Sequence, residues 1–110
     1  MHNYIFGVNI LPIDLGYKNI LRLNDELHAL DIPHEFVRHL DGWAITYPDC
    51  DGYRNVQINK YTYGHENDLM WAHGFDDEND FGIGNLTVDE ALKLFIRAWE
   101  ADKNAERSSN

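Results

Sequence analysis

The sequence predicts an α+β domain: a three-stranded antiparallel β-meander packed with an N-terminal helix, a short central helix and a C-terminal helix. Three observations lead there. Ile20, Leu23, Leu27 and Leu30 recur at the 3,4,3 spacing of one helix face. Trp43, Ile45 and Tyr47 follow an Asp41-Gly42 pair with the alternation of a strand. Thr87-Val88-Asp89-Glu90 has the capping-box spacing and opens a second apolar stripe.

Residues 1–16 read as an N-terminal arm or short strand. Tyr4, Phe6 and Val8 alternate with Ile5, Gly7 and Asn9, and Pro12 and Gly16 interrupt the run. The first helix is expected over 17–31, with Lys18, Arg22, Asp25, Glu26 and His28 largely off the apolar stripe. Pro33 ends it, because the residue before a proline avoids the helical region.

Two strands are expected over 34–40 and 43–47, joined by Asp41-Gly42 in a tight type I′ turn that needs positive φ angles. Pro48-Asp49-Cys50-Asp51-Gly52 is a second turn signal. A third strand then covers about 53–62, where Val56, Ile58 and Lys60 alternate with Gln57, Asn59 and Tyr61. Residues 65–74 suggest a short helix, since Leu69 and His73, or Met70 and Gly74, lie one turn apart. Asp76-Asp77-Glu78-Asn79-Asp80 reads as a solvated acidic loop extended by Gly82 and Gly84. In the final helix, Val88, Leu92, Phe95, Ile96 and Trp99 form the apolar face, and residues 102–110 are expected to fray. With 110 residues and no dividing linker, a single domain is expected.

Charge narrows the function classes. Nineteen acidic residues against nine basic ones leave a net charge of −10 at pH 7. Such a chain repels phosphate backbones and anionic lipid surfaces, so neither nucleic acid nor membrane is an expected partner. A basic protein surface is the partner that the charge favours. No signal peptide is expected from Met1-His2-Asn3-Tyr4-Ile5-Phe6-Gly7, and one cysteine, Cys50, permits no intrachain disulfide; both suit a cytoplasmic setting in a bacterial host cell.

Catalytic sets do not emerge. The only serines, Ser108 and Ser109, close the chain, and no P-loop, GxSxG or HExxH is present. His34 and His39 point to opposite faces of a strand, and His65 and His73 are too far apart for one helix to offer both to a metal. No enzyme activity, cofactor or metal is expected. The polar cluster of Tyr63, Gly64, His65, Glu66 and Asn67 reads first as turn chemistry, with His65 or Asn67 capping the next helix, and second as an interaction edge.

Tyr63-Gly64-His65-Glu66-Asn67-Asp68-Leu69, then an acidic stretch, then Gly84-Asn85-Leu86-Thr87-Val88-Asp89-Glu90-Ala91, resembles small proteins carried by phages and mobile elements of Gram-positive, Clostridia-like bacteria. The likeness covers about residues 17–97 and leaves the arm outside it. It brings no established activity and no catalytic residue. It implies a setting in which small acidic proteins inhibit host defence, anti-CRISPR proteins among them, some by mimicking DNA.

The expected function is therefore a non-enzymatic inhibitor of a bacterial nucleic-acid-handling machine. Asp76, Asp77, Glu78 and Asp80 would face its basic groove, with Tyr63, His65, Glu66 and Phe6 as further partner-binding candidates. The alternative is a regulatory or structural protein-interaction module of the element, anchored by Tyr4, Phe6 or Trp71. A weaker third reading is a metal-dependent enzyme using His65 and Glu66.

Overall fold

The computed structural model describes residues 4–5, 8–9, 11–48, 53–75 and 82–108, with side chains between Leu11 and Glu106. Short strands β1 (Tyr4–Ile5) and β2 (Val8–Asn9) pair antiparallel with Ile5 opposite Val8, and a 3₁₀ turn covers Pro12–Leu15. Helix α1 (Asn19–Ala29) follows. Strands β3 (Glu35–His39), β4 (Gly42–Thr46), β5 (Asn55–Ile58), β6 (Met70–His73) and β7 (Ile83–Leu86) form one five-stranded sheet in that order, every neighbouring pair antiparallel. Helix α2 (Val88–Ser108) completes the described chain.

This corrects the expected three-stranded meander with three helices. Among the described residues, two α-helices accompany a five-stranded sheet and a separate two-stranded pair. The segment expected as a central helix splits into a 3₁₀ turn at His65–Asn67 and strand β6. Helical and strand periods are hard to separate over so short a run. The open edge of β5 decided between them: Val56 faces Ala72 and Gln57 faces Trp71, giving backbone groups of Met70–His73 partners in a ladder. Met70 and Ala72 are buried on one face, while Trp71 and His73 lie half-buried on the other. The glycine-bearing segment expected as loop is β7, pairing Met70 with Leu86 and Ala72 with Ile83 across a register shift. Glycine is a poor strand former, but it marks close approach. A Cβ at Gly82 would overlap the Trp71 indole.

The hairpin turn also differs. His39 pairs with Gly42, so Leu40 and Asp41 make the connection, and the positive φ of 55° falls on Leu40. Gly42 belongs to β4 and is needed for space: a Cβ there would overlap the Ile58 carbonyl oxygen and lie 2.7 Å from Asn59 Cα.

Both helices pack on the same sheet face. Alternation places Trp43, Ile45, Tyr47, Val56, Ile58, Met70, Ala72 and Leu86 there, all buried. Ile20, Leu23 and Leu27 of α1 join them, fully buried, whereas Leu30 is 44% exposed. The chain has already turned away at that point: Leu30 caps α1 and Asp31 takes a left-handed φ of 58°. On α2, Val88, Ala91, Leu94 and Phe95 face the core, and the expected Leu92, Ile96 and Trp99 are only partly buried. Phe95 lies 5.0 Å from the Phe75 ring and 6.3 Å from the Tyr47 ring. The helix also continues to Ser108, into the segment expected to fray, and Lys103 Nζ sits 3.6 Å above the Trp99 ring one turn earlier. No helix among the described residues is long and apolar enough to cross a membrane.

Candidate partner-binding face

Among the described residues, the second face of the sheet carries no helix, and its chemistry is amide and aromatic. Along β5, the residues pointing there are polar. Asn55 and Gln57 are followed just past the strand by Asn59, and Gln57 and Asn59 are buried. Buried amides are stable only when hydrogen-bonded, and these are. Asn59 Nδ2 donates to Gln57 Oε1 at 2.9 Å, and Gln57 Nε2 donates to Asn55 Oδ1 at 3.1 Å. Asn59 Oδ1 accepts the Tyr61 N–H at 2.9 Å, which fixes how the chain leaves the strand.

The next turn sets two tyrosines outward. Thr62 N–H and its hydroxyl both donate to the Asn59 carbonyl, at 3.2 and 3.0 Å. His65 Nδ1 donates to the Thr62 carbonyl at 2.6 Å. Gly64 takes a φ of 81°, and its carbonyl accepts the N–H groups of Asn67 and Leu69 at 3.0 and 2.9 Å. A Cβ at Gly64 would crowd the Asn85 side chain, so the turn lies against β7. Tyr61 and Tyr63 emerge 67% and 78% exposed.

Trp71 meets them from β6. Its ring stacks on His73 at 5.6 Å and 21°, and His73 in turn meets the Tyr53 ring edge-on at 4.8 Å while its Nδ1 donates to the Tyr53 carbonyl at 2.8 Å. A groove of about 280 Å³ opens between Tyr61, Thr62, Tyr63 and Trp71. Gly84 lies beside two of these residues: a Cβ there would lie 3.3 Å from Trp71 Cδ1 and 3.6 Å from Tyr63 Cβ.

An ion pair sits beside Tyr61. Lys60 Nζ and Asp41 Oδ2 pair at 2.9 Å, and the Tyr61 hydroxyl reaches the same oxygen at 3.4 Å. The hydrogen bond from Lys60, reinforced by its charge, holds the Asp41 carboxyl below its usual range and raises Lys60 in return. Both side chains are more than half exposed, so solvent screens the pair and it contributes little to stability. Burial, then the charges of Asp41, Asp68 and Glu66, push the Tyr17 hydroxyl up, with Lys60 opposing.

The site residues named from sequence fall into two groups. Tyr63 lines the groove. His65 and Glu66 adjoin it in sequence; His65 Nε2 lies 3.4 Å from Glu66 Oε1 while its other nitrogen is held by Thr62, an arrangement that orients the turn. Phe6, Asp76, Asp77, Glu78 and Asp80 lie outside the described residues. No His65 or Asn67 cap forms, because no helix follows. Asp68 instead caps a distant helix: its Oδ2 accepts the backbone N–H groups of Lys18 and Asn19, both at 2.9 Å. Among the described residues, no group of three or more His, Cys, Asp and Glu side chains is placed to hold a metal ion.

The amide row and the role of Gly84 were not anticipated. The polar alternation of Asn55, Gln57 and Asn59 inside an otherwise apolar strand was the available signal. On α2, Asp89, Glu90, Glu100, Asp102 and Glu106 are interleaved with Lys93, Arg97 and Lys103, so the described helix carries mixed charge rather than one acidic surface. The chain matches no family model, no curated protein and no solved structure.

Proposed function

We propose that this chain is a non-catalytic binding protein that docks onto a basic protein surface, in the manner of an inhibitor of a bacterial nucleic-acid-handling defence machine. The observation that carries the reading is the helix-free sheet face, where Tyr61, Tyr63 and Trp71 surround an open groove. Exposed tyrosines, here on the turn after β5, and a half-buried tryptophan, here on β6, are side chains that dominate protein interfaces, since they supply contact area at low entropic cost. The net charge of −10 supplies the sign of the partner and long-range steering toward it. Asp76, Asp77, Glu78 and Asp80, in the segment between β6 and β7, contribute four of those negative charges.

Binding to a panel of purified bacterial nucleases and CRISPR effectors, at low and high salt, tests this. The expected result is association with at least one of them, weakened by salt and reduced at least tenfold by Tyr63→Ala. Replacing the four loop acids with Asn and Gln should lower the association rate more than it raises dissociation. Binding to none of the panel, or binding indifferent to both changes, would defeat the proposal.

The alternative, a regulatory or structural module of a mobile element, uses the same face. The half-buried Trp71 favours it, because an anchor of this kind needs little charge. Under that reading Trp71→Ala abolishes binding while neutralising the loop leaves the association rate unchanged.

A further inference from the structure

We propose that the groove between Tyr63 and Trp71 is a subsite for the guanidinium of an arginine side chain presented by the protein partner. The inference rests on reading this face as a docking surface and adds the chemistry of its central contact.

The molecule already places its own cations over its own rings. Arg38 lies over Trp43 at 5.7 Å, Arg54 over Tyr47 at 5.6 Å, Lys60 over Tyr61 at 5.2 Å and Lys103 over Trp99 at 3.6 Å. Among the described residues, the rings of Tyr63 and Trp71 receive no such cation. Both rings line a shared opening. Gly84 lets β7 run close beside them, since a Cβ there would press on Trp71 Cδ1 at 3.3 Å.

Asp41 accepts from Tyr61 at the groove's edge but is paired with Lys60 at 2.9 Å, and Lys60 Nζ already lies 5.2 Å over the Tyr61 ring, so an incoming cation has the Tyr63 and Trp71 rings. The chain's net charge of −10 favours a cation there. A nucleobase brings phosphates that the net charge of −10 repels. A lysine ammonium is compact and strongly hydrated. A guanidinium is planar, weakly hydrated and stacks on aromatic faces, which suits an opening lined by aromatic rings.

The test is NMR titration of the whole chain with N-acetyl-arginine amide and, in parallel, with N-acetyl-citrulline amide, its neutral isostere. Arginine amide should shift the Trp71 indole N–H and the Gly84 amide, and citrulline amide should not. Tyr63→Ala should weaken the response about two- to fivefold, the loss of one cation–π contact at an exposed site. Gly84→Val, whose side chain would press on Trp71 and Tyr63, should weaken it. Tyr63 is exposed enough that its variant should stay folded even if Gly84→Val does not, and the amide spectrum of each variant reports this. Equal shifts from citrulline amide, no shifts from either probe, or shifts untouched by a folded variant would overturn the subsite. A positive titration beside a failed nuclease panel would leave the subsite standing and remove the defence-machine reading. Salt-sensitive protein binding beside a negative titration would do the reverse.

Discussion

Asp68 connects two parts of the chain that sequence distance keeps apart. Helix α1 starts at Lys18 and Asn19 with no side-chain cap of its own, and the Asp68 carboxylate, 50 residues from Lys18, accepts both free N–H groups. Asn19 Nδ2 donates back to the Asp68 carbonyl at 3.0 Å. The residue also adopts a left-handed φ of 59°, which Asp and Asn tolerate better than Ala. Asp68→Ala should therefore cost about 1–2 kcal/mol in denaturant unfolding. Asp68→Asn, which keeps an accepting oxygen and the backbone preference, should recover most of it. Equal losses in the two variants would show that the carboxylate is not acting as a cap. The cap was not legible in the sequence because its donor and acceptor meet only after folding.

At the scale of the element, α2 was the most readable. Thr87 N–H donates to Glu90 Oε1 at 3.0 Å, and Glu90 N–H donates to Thr87 Oγ1 at 3.3 Å, which is the reciprocal capping box expected from Thr-x-x-Glu. The hydrogen bonds from Thr87, backbone first and side chain second, hold the Glu90 carboxyl below its usual range. A lowered folded value means that the stabilisation is present above the unfolded carboxylate range and is lost as pH falls through the folded value. The melting temperature of the wild type should exceed that of Glu90→Ala near neutral pH, and the gap should close in acid. A gap that stays constant down to about pH 2 would rule out the ionised carboxylate as its source. The neighbouring strand β6 was misread for a reason of the same scale. Four residues at spacings compatible with either period cannot declare themselves, and the vacant edge of β5 made the choice.

For the molecule as a whole, stability depends on one apolar layer between the sheet and two helices. Phe95 is fully buried and joins α2 to Tyr47 and Phe75. Phe95→Ala should cost about 3–5 kcal/mol through lost burial and the cavity left behind. A domain of this size has about 5–15 kcal/mol in total. The variant should unfold at much lower denaturant concentration, and a loss below about 1 kcal/mol would mean that the layer closes over the gap. On the opposite face Gln57 and Asn59 are buried but hydrogen-bonded to one another, and Tyr61 and Tyr63 stand in solvent, so Tyr63→Ala should leave the fold largely intact.

What the amino-acid sequence determined by itself is local: two amphipathic helices, a hairpin between them, an acidic balance and a capped start to α2. Each depends on residues within a few positions of one another, where spacing and side-chain type decide the outcome. The tertiary structure alone decided the number of strands, the identity of Asp68 as a distant cap and the meeting of Tyr61, Tyr63 and Trp71 around one groove. Those arise when separate segments compete for the same hydrogen-bonding edge or the same space, and that competition exists only once the chain has closed on itself.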